Sequence, residues 1–145
     1  MAETYRKIER TDPAFPAACV ILKELRTFLD VATIATKLEE QEKGWGYELH
    51  GAFRGDELLG VAGFRTVQTL VRGRHMHLDD LVVTEAHQAE GIGKGLMAYL
   101  EALAKERGLT ALFLDARAEA ISFYERRGYE PHVAPLYRKR FVKVS

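Results

Sequence analysis

The chain has 145 residues with 21 basic and 21 acidic side chains, so its formal net charge at pH 7 is zero. This balance gives no global field for nucleic acid or an anionic membrane, and no apolar run reaches the roughly 20 residues that span a bilayer. The single cysteine, Cys19, excludes a disulfide framework and a thiolate metal site. We therefore expect one domain over residues 1–145, with no metal, no nucleic-acid or membrane partner, and a cytoplasmic location.

The first third of the chain predicts one strand and two helices. The segment YRKIER (residues 5–10) predicts the strand, and Asp12 then offers an N-cap with Pro13 at the first helical position. Apolar residues at helical spacing predict that this helix runs to residues 28–30. A second helix is predicted over residues 31–42.

The hydrophobic period then changes from helical to alternating. Residues 47–53, 58–70 and 75–84 predict three strands, separated by the turn sequences RGDE and VRGR. Short turns between consecutive strands indicate a three-stranded antiparallel meander.

The last part of the chain alternates helix and strand. The sequence predicts a helix over about residues 91–107, a buried parallel strand at 110–115 and a helix at 118–127. Residues 128–133 and 136–144 predict a final strand or pair of strands. The expected fold is α+β in three layers (α/β/α), with a mixed, mostly antiparallel central sheet and one β-α-β unit.

Three glycines (Gly91, Gly93 and Gly95) stand where the loop after the third meander strand turns into a helix. The unpaired N–H groups of such a helix start can bind a pyrophosphate, and glycines let it approach. A dinucleotide fingerprint would need a further glycine at Leu96, which leaves a small nucleotide-dependent oxidoreductase as a weaker alternative. A P-loop would need Ser or Thr after Lys94, where Gly95 stands.

Two motifs resemble a known family. The stretch Gln88-Ala89-Glu90-Gly91-Ile92-Gly93 matches the Q/R-x-x-G-x-G/A loop of the Gcn5-related N-acetyltransferases (GNAT). Downstream, AISFYERRGYEP is similar to their second signature, in which Ala-Ile-x-x-Tyr precedes a Gly-aromatic pair. The resemblance implies a GNAT-like fold and direct transfer of acetyl from acetyl-CoA to a primary amine. A non-catalytic acyl-CoA sensor on the same scaffold is the other alternative.

The resemblance also implies which residues bind acetyl-CoA. The strand before the loop would pair its backbone with the pantetheine amides, and the loop would hold the pyrophosphate. Lys94 would partly replace the arginine that the family often has at the position of Gln88. The expected cofactor-binding residues are Leu81, Val82, Val83, Gln88, Ala89, Glu90, Gly91, Ile92, Gly93 and Lys94.

Each candidate catalytic residue could instead have a purely structural role. Tyr124 matches the family tyrosine that protonates the leaving sulfur, but it could also be a packing residue. His77 occupies a position where some relatives have a glutamate base, and imidazole titrates near neutral pH. It could equally be a histidine satisfied by neighbouring backbone. Arg117 departs from the family, which often has Asn there, so we transfer no role to it.

The acceptor side is predicted from charge and position. Asp79, which alternates onto the face of His77, is expected to bind a cationic amine, and Glu48 and Tyr47 to line the same side. The expected partners are therefore an amine acceptor and, because many relatives dimerise, a possible second copy of the chain.

Overall fold

The structure is a computed structural model that describes residues 2–142. The chain falls into two compact units, one ending at Leu114 and the other beginning at Asp115. The single domain expected over residues 1–145 stays a prediction. No helix within residues 2–142 is long and apolar enough to cross a membrane.

The first unit is a five-stranded sheet with helices. Its strands follow the order β1-β2-β3-β4-β5, and all neighbours are antiparallel except β4 and β5. Helix α3 connects these two parallel strands, which makes the expected β-α-β unit and confirms the mixed, mostly antiparallel sheet. The elements are β1 (Thr4–Lys7), α1 (Phe15–Leu25), α2 (Val31–Trp45), β2 (Glu48–Arg54), β3 (Glu57–Thr69), β4 (Gly73–Val83), α3 (Ile92–Glu106) and β5 (Leu112–Leu114).

The first helix is shorter than predicted and is capped differently. It begins at Phe15 after Ala14, and Asp12 accepts a hydrogen bond from the Ala14 N–H at 2.9 Å. It ends at Leu25 because Arg26 leaves helical backbone geometry, with φ −106° and ψ 67°. Apolar spacing predicted a longer helix because the spacing of apolar residues does not show where the backbone leaves helical geometry.

Helices cover both faces of the sheet. On one face, residues from α1 and α2, including Leu22 and Leu38, form a core with Leu49 and Val61 of the sheet. On the other face, α3 buries its apolar side chains, and Leu96 lies over Gly60 of β3. The arrangement confirms the three-layer α+β class.

A polar network joins α3 to β2 on its side of the sheet. His50 is 3 % exposed, and its Nδ1 lies 2.7 Å from the Tyr99 hydroxyl. The carboxylate of Glu48 accepts from both terminal nitrogens of Arg107 at 2.8 and 3.0 Å. Such a bidentate pair fixes geometry as well as charge, so it holds the end of α3 to the start of β2.

Over residues 115–142, the second unit contains one short α-helix. A 3₁₀ turn at Ala118–Ala120 precedes α4 (Ile121–Glu125), which together replace the longer helix predicted at 118–127. The final strands predicted at 128–133 and 136–144 are wrong for the described residues, because no ladder includes residues 126–142. Residues 143 and 144 lie outside the described residues. The alternating pattern is present, but a strand also needs a backbone partner, and Leu136 and Phe141 are exposed.

The space around two glycines predicts opposite effects of substitution on the free energy of unfolding. A Cβ at Gly63 would lie 1.6 Å from the Tyr47 hydroxyl oxygen, so Gly63→Ala should lower the free energy of unfolding by about 2 kcal/mol. Gly44 lies in α2 with nothing within 4 Å of its Cβ position, so Gly44→Ala should raise it by about 0.5 kcal/mol. Urea unfolding of both variants checks this, and equal effects would contradict the packing.

Candidate functional site

Strand β4 has an edge that its neighbour covers only in part. It pairs with β5 at Met76, His77 and Leu78, and β5 ends at Leu114 opposite Leu78. The register with β3 slips immediately beyond this point, because Phe64 pairs with Leu78 whereas the preceding Gly63 pairs with Asp80. Asp79 is thus the extra residue of a β-bulge, and the edge from Asp79 to Val83 has no strand neighbour among the described residues.

The hydrogen-bond pattern shows which backbone groups face this open edge. The N–H of Thr84 donates to the carbonyl of Leu59 on β3 at 2.9 Å. Backbone groups of an antiparallel strand alternate sides, so Leu81 and Val83 point away from β3, toward the open edge. Val82 faces β3 with its backbone and packs its side chain against the α1–α2 core. The predicted cofactor strand therefore offers the backbones of two residues rather than three.

The loop after β4 leads directly into the start of α3. It passes through a 3₁₀ turn at Glu85–His87 and two left-handed positions, Ala89 (φ 68°) and Gly91 (φ 82°). The Gln88 side-chain amide donates to the carbonyl of Val83 at 3.3 Å, which links the loop to the open edge. Glycine suits a left-handed position because it has no Cβ to strain the backbone.

The N-terminus of α3 presents unpaired donors. The first helical bond runs from the Gly95 N–H to the Gly91 carbonyl at 3.0 Å, so the N–H groups of Ile92, Gly93 and Lys94 have no partner inside the helix. Within residues 2–142 no side chain caps this end. A Cβ at Gly91 would meet nothing within 4 Å, so there is open space beside these donors. Donors, helix dipole and space together suit a phosphate.

Of the two acidic residues in this loop, Glu90, which lies next to the start of α3, is paired with its neighbours. The Glu90 carboxylate accepts from Arg54 at 3.2 Å and lies 3.1 Å from Nδ1 of His87. The hydrogen bond from Arg54 lowers the pKa of Glu90, although burial opposes it. Glu90 is therefore ionised but paired, and Arg54 offsets its repulsion of a bound anion.

The acceptor residues predicted from sequence are already engaged within the protein. Tyr47 is 4 % exposed and donates to Asp80 at 2.9 Å, and burial raises its pKa well above the usual value. Asp79 accepts from Arg65 through both oxygens, at 2.7 and 2.8 Å. Both side chains thus already have bonding partners within the protein, and an amine would have to compete with Arg65 for Asp79. That Tyr47 and Asp79 line an acceptor surface stays a prediction.

Glu48 belongs to a different place from these residues. Its carboxylate lies with His50 and Arg107 on the α3 side of the sheet. Burial works to raise the pKa of Glu48, but hydrogen bonds from His50 and Arg107 outweigh burial and lower that pKa to about 2. A carboxylate this weakly basic is a poor proton acceptor near neutral pH, so Glu48 does not replace His77 as a candidate base.

The two histidines of β4 differ in environment. His75 is 2 % exposed, with Nδ1 3.0 Å from the Gly73 carbonyl and its ring packed edge-on against Phe113 at 5.0 Å. His77 is half-buried and lies opposite Arg65 of β3, two residues before the bulge. His77 thus remains the candidate base of this strand, and His75 has a packing role.

In the second unit, Tyr124 lies on α4 and is half-buried. Its ring meets Phe123 at 5.1 Å and Tyr129 at 5.8 Å between centroids. Burial raises the pKa of Tyr124, so the phenol keeps its proton at neutral pH. Arg117 is exposed and pairs with Glu119 at 3.2 Å.

Sequence reasoning missed the residues at the end of α1 that bond to β4 and to the loop after it. Arg26 bonds to Asp80, and Glu24 accepts from the Thr84 hydroxyl and the Glu85 N–H, both at 2.9 Å. These partners are more than 50 residues apart in the chain, so no local pattern pairs them. The one available signal was the Asp79-Asp80 pair between the apolar residues Leu78 and Leu81, because buried carboxylates require cationic or donor partners.

Several curated proteins similar to this chain are acetyltransferases by name. The chain is 30 % identical over 107 residues to the uncharacterized N-acetyltransferase YhdJ of Bacillus subtilis (strain 168), covering 72 % of this chain and 75 % of that protein. It is also 30 % identical over 77 residues to the glucosamine 6-phosphate N-acetyltransferase of Trypanosoma brucei brucei, covering 52 % of each. The second match thus spans about half of that relative's length.

Solved structures share the fold. The ribosomal-protein-alanine N-acetyltransferase of Brucella melitensis biovar Abortus 2308 aligns with a TM-score of 0.79 at 24 % identity, covering 97 % of this chain and 100 % of that one. A predicted acetyltransferase with acetyl-CoA from Clostridium acetobutylicum aligns with a TM-score of 0.73 at 15 % identity, covering 94 % and 96 %. At these identities the likeness establishes the fold alone.

The family of the chain follows from its sequence over most of its length. The profile of the acetyltransferase (GNAT) family matches residues 12–129, which include the β4 edge, the loop, the start of α3 and Tyr124. This match does not favour the oxidoreductase alternative. The chain belongs to the acetyltransferase (GNAT) family.

Proposed function

We propose that the chain is an acetyl-CoA-dependent N-acetyltransferase that acetylates a primary amine directly, in a ternary complex. The observation that supports it best is one continuous feature: the open β4 edge runs into a loop that ends at the uncapped start of α3. An extended pantetheine arm suits such an edge, and a pyrophosphate suits such a helix start.

Acetyl-CoA would be held by backbone more than by side chains. The N–H groups of Ile92, Gly93 and Lys94 would bind the pyrophosphate, and the backbones of Leu81 and Val83 would pair with the pantetheine amides. When bound, acetyl-CoA supplies the acetyl group: the amine nitrogen bonds to the carbonyl carbon, the C–S bond breaks, and the sulfur leaves with the electron pair.

Two proton transfers complete the chemistry, and each has a candidate residue. His77 would take the proton that the amine nitrogen loses as the C–N bond forms. Tyr124, neutral because burial raises its pKa, would give a proton to the departing sulfur. No acyl-enzyme is needed, and buried Cys19, whose thiol pKa is raised by burial, is unsuited to form one.

The acceptor is proposed only as a class. The relatives whose names specify an acceptor include glucosamine 6-phosphate N-acetyltransferases, so an amino sugar phosphate is the first amine to try. A protein amine, an amino acid and a polyamine complete the panel, with free-thiol release as the readout. We also propose that the protein is cytoplasmic and forms a homodimer.

The first prediction concerns the pyrophosphate site. Gly93→Asp places a carboxylate beside the unpaired N–H groups of α3 and should abolish acetyl-CoA binding in titration calorimetry, because like charges repel where the phosphates would bind. Gly44→Asp adds the same charge on α2 and should leave the dissociation constant unchanged. A folded Gly93→Asp protein that binds as the parent does would show that the site is misplaced.

The second prediction concerns Tyr124. Tyr124→Phe keeps the ring and its contacts, so the acetyl-CoA dissociation constant should hold while kcat falls about a hundredfold through loss of the general acid. Tyr137→Phe, at a tyrosine that is 86 % exposed, is the control and should keep both values. An unchanged kcat in an assay limited by chemistry would make Tyr124 a packing residue.

The third prediction concerns the base. An imidazole must be unprotonated to accept a proton, so kcat/KM should fall on the acid side of neutral pH, and this limb should disappear in His77→Gln. His132→Gln, at an exposed histidine of the second unit, should retain the limb. If His77→Gln keeps both the rate and the limb, another group or water takes the proton.

A further inference from the structure

Two segments far from β4 in the chain converge on the carboxylate of Asp80, next to the β4 bulge. Both Nε and Nη2 of Arg26, at the end of α1, contact Oδ1 of Asp80, at 3.0 and 2.8 Å. The hydroxyl of Tyr47, just before β2, donates to Oδ2 of Asp80 at 2.9 Å. Each oxygen of Asp80 thus has a donor, and the Asp80 side chain is only 14 % exposed.

The same guanidinium also bonds to the bulge itself. Arg26 Nη2 donates to the backbone carbonyl of Asp79 at 2.9 Å. Asp79 is the residue that the β3 register skips, and a bulge residue lacks the regular ladder bonds that would fix its backbone. Arg26 therefore supplies a bond to the carbonyl that the ladder leaves out, while its pairing with Asp80 anchors it there.

The sheet is shaped to admit Tyr47 to this place. Gly63 lies opposite Asp80 on β3, and only a residue without Cβ leaves room for the Tyr47 hydroxyl. The tyrosine is buried, so its hydroxyl needs a partner, and Asp80 is that partner. We call these three bonded residues next to the bulge, Arg26, Asp80 and Tyr47, the bulge clamp.

The position of the clamp links it to the reaction proposed above. Pantetheine leaving a pyrophosphate at the start of α3 would meet the open edge first at Val83 and run back toward Leu81. The edge closes at Leu78, where β5 pairs, so the thioester end would lie near the bulge. The clamp would then be at the reactive end of acetyl-CoA rather than at its phosphates.

We propose that the bulge clamp is a positioning device for acetyl transfer: Arg26 and Tyr47, acting through Asp80 and the Asp79 carbonyl, fix the β4 backbone against which the thioester is aligned. The inference rests on the proposed function. Misplacement of a reacting group by about 1 Å can cost about a hundredfold in rate without removing the contacts that give affinity. Loosening the clamp should therefore lower kcat and spare cofactor binding.

The test uses Arg26→Gln with a matched control, Arg107→Gln. Both changes remove an arginine from a part-buried carboxylate pair, with arginine side chains 38 % and 33 % exposed. Arg107→Gln breaks the Glu48 pair on the α3 side of the sheet and leaves the clamp intact. Tyr47→Phe is a milder second variant, which keeps the packing should Arg26→Gln fail to fold. Arg26→Lys keeps the charge but loses the planar donor set, so it should be intermediate.

The first readout needs no ligand and no acceptor. Amide hydrogen exchange measured by NMR should rise at least tenfold for residues 79–82 relative to residues 74–77 in Arg26→Gln and in Tyr47→Phe. The ratio should stay at the parent value in Arg107→Gln. An unchanged ratio in the clamp variants overturns the inference, whatever the enzyme's activity.

The second readout separates positioning from stability. At a temperature well below every midpoint of unfolding, kcat should fall at least tenfold in the clamp variants while the acetyl-CoA dissociation constant changes less than threefold. Arg107→Gln should keep kcat. A parental kcat in Arg26→Gln, or an equal loss in Arg107→Gln, overturns the inference and leaves the proposed function standing. A parent protein that neither binds nor consumes acetyl-CoA overturns the proposed function and the clamp's role in transfer, while the exchange ratio still decides whether the clamp holds the bulge.

Discussion

Two adjacent carboxylates stand between apolar residues of strand β4, Leu78 and Leu81, and the cost of burying them shapes the structure around them. A carboxylate removed from water needs cationic or hydrogen-bonding partners, and here each has its own: Arg65 for Asp79, and Arg26 with Tyr47 for Asp80. The hydrogen bonds to Asp80 place Arg26, at the end of α1, against the strand and place the Tyr47 side chain against the face of the sheet that α1 covers. The bulge at this point coincides with the end of β5 pairing. The open edge therefore begins where these charges are held.

The same pairing changes what the acceptor side can recognise. Carboxylates that would attract a cationic amine are already bonded to guanidinium groups, and Glu48 is fixed by Arg107 on the other face of the sheet. An ammonium ion would have to displace an arginine fork, which matches carboxylate geometry better. Under the proposed function, recognition of the amine in this unit would then depend on groups other than Asp79, Asp80 and Glu48. The acceptor screen accordingly includes amines that carry an anionic group.

The structure of the segment proposed to bind acetyl-CoA could be predicted from sequence because that segment is local. Gly91 and Gly93, the helix that follows them and the apolar strand before them lie within one short stretch of chain. A helix start has unpaired donors whatever surrounds it, and a left-handed turn favours glycine whatever packs above it. The meander and the β-α-β unit were predictable for the same reason, since period and turn length are local properties. The backbone direction of Val82 was not, because it depends on the register with β3.

The sequence by itself determined the order of elements as far as β5, the three-layer class and the loop that marks the family. Tertiary structure alone decided which charges meet. Arg26 and Asp80 are separated by 54 positions, Tyr47 and Asp80 by 33, and Glu48 and Arg107 by 59. The adjacent residues Tyr47 and Glu48 go to opposite faces of the sheet, where Tyr47 bonds to Asp80 and Glu48 to Arg107. The strands predicted after residue 128 failed for a related reason: alternation is written in the sequence, but a strand exists only where another backbone pairs with it. Pairing, of charges and of backbones alike, is a property of the folded chain.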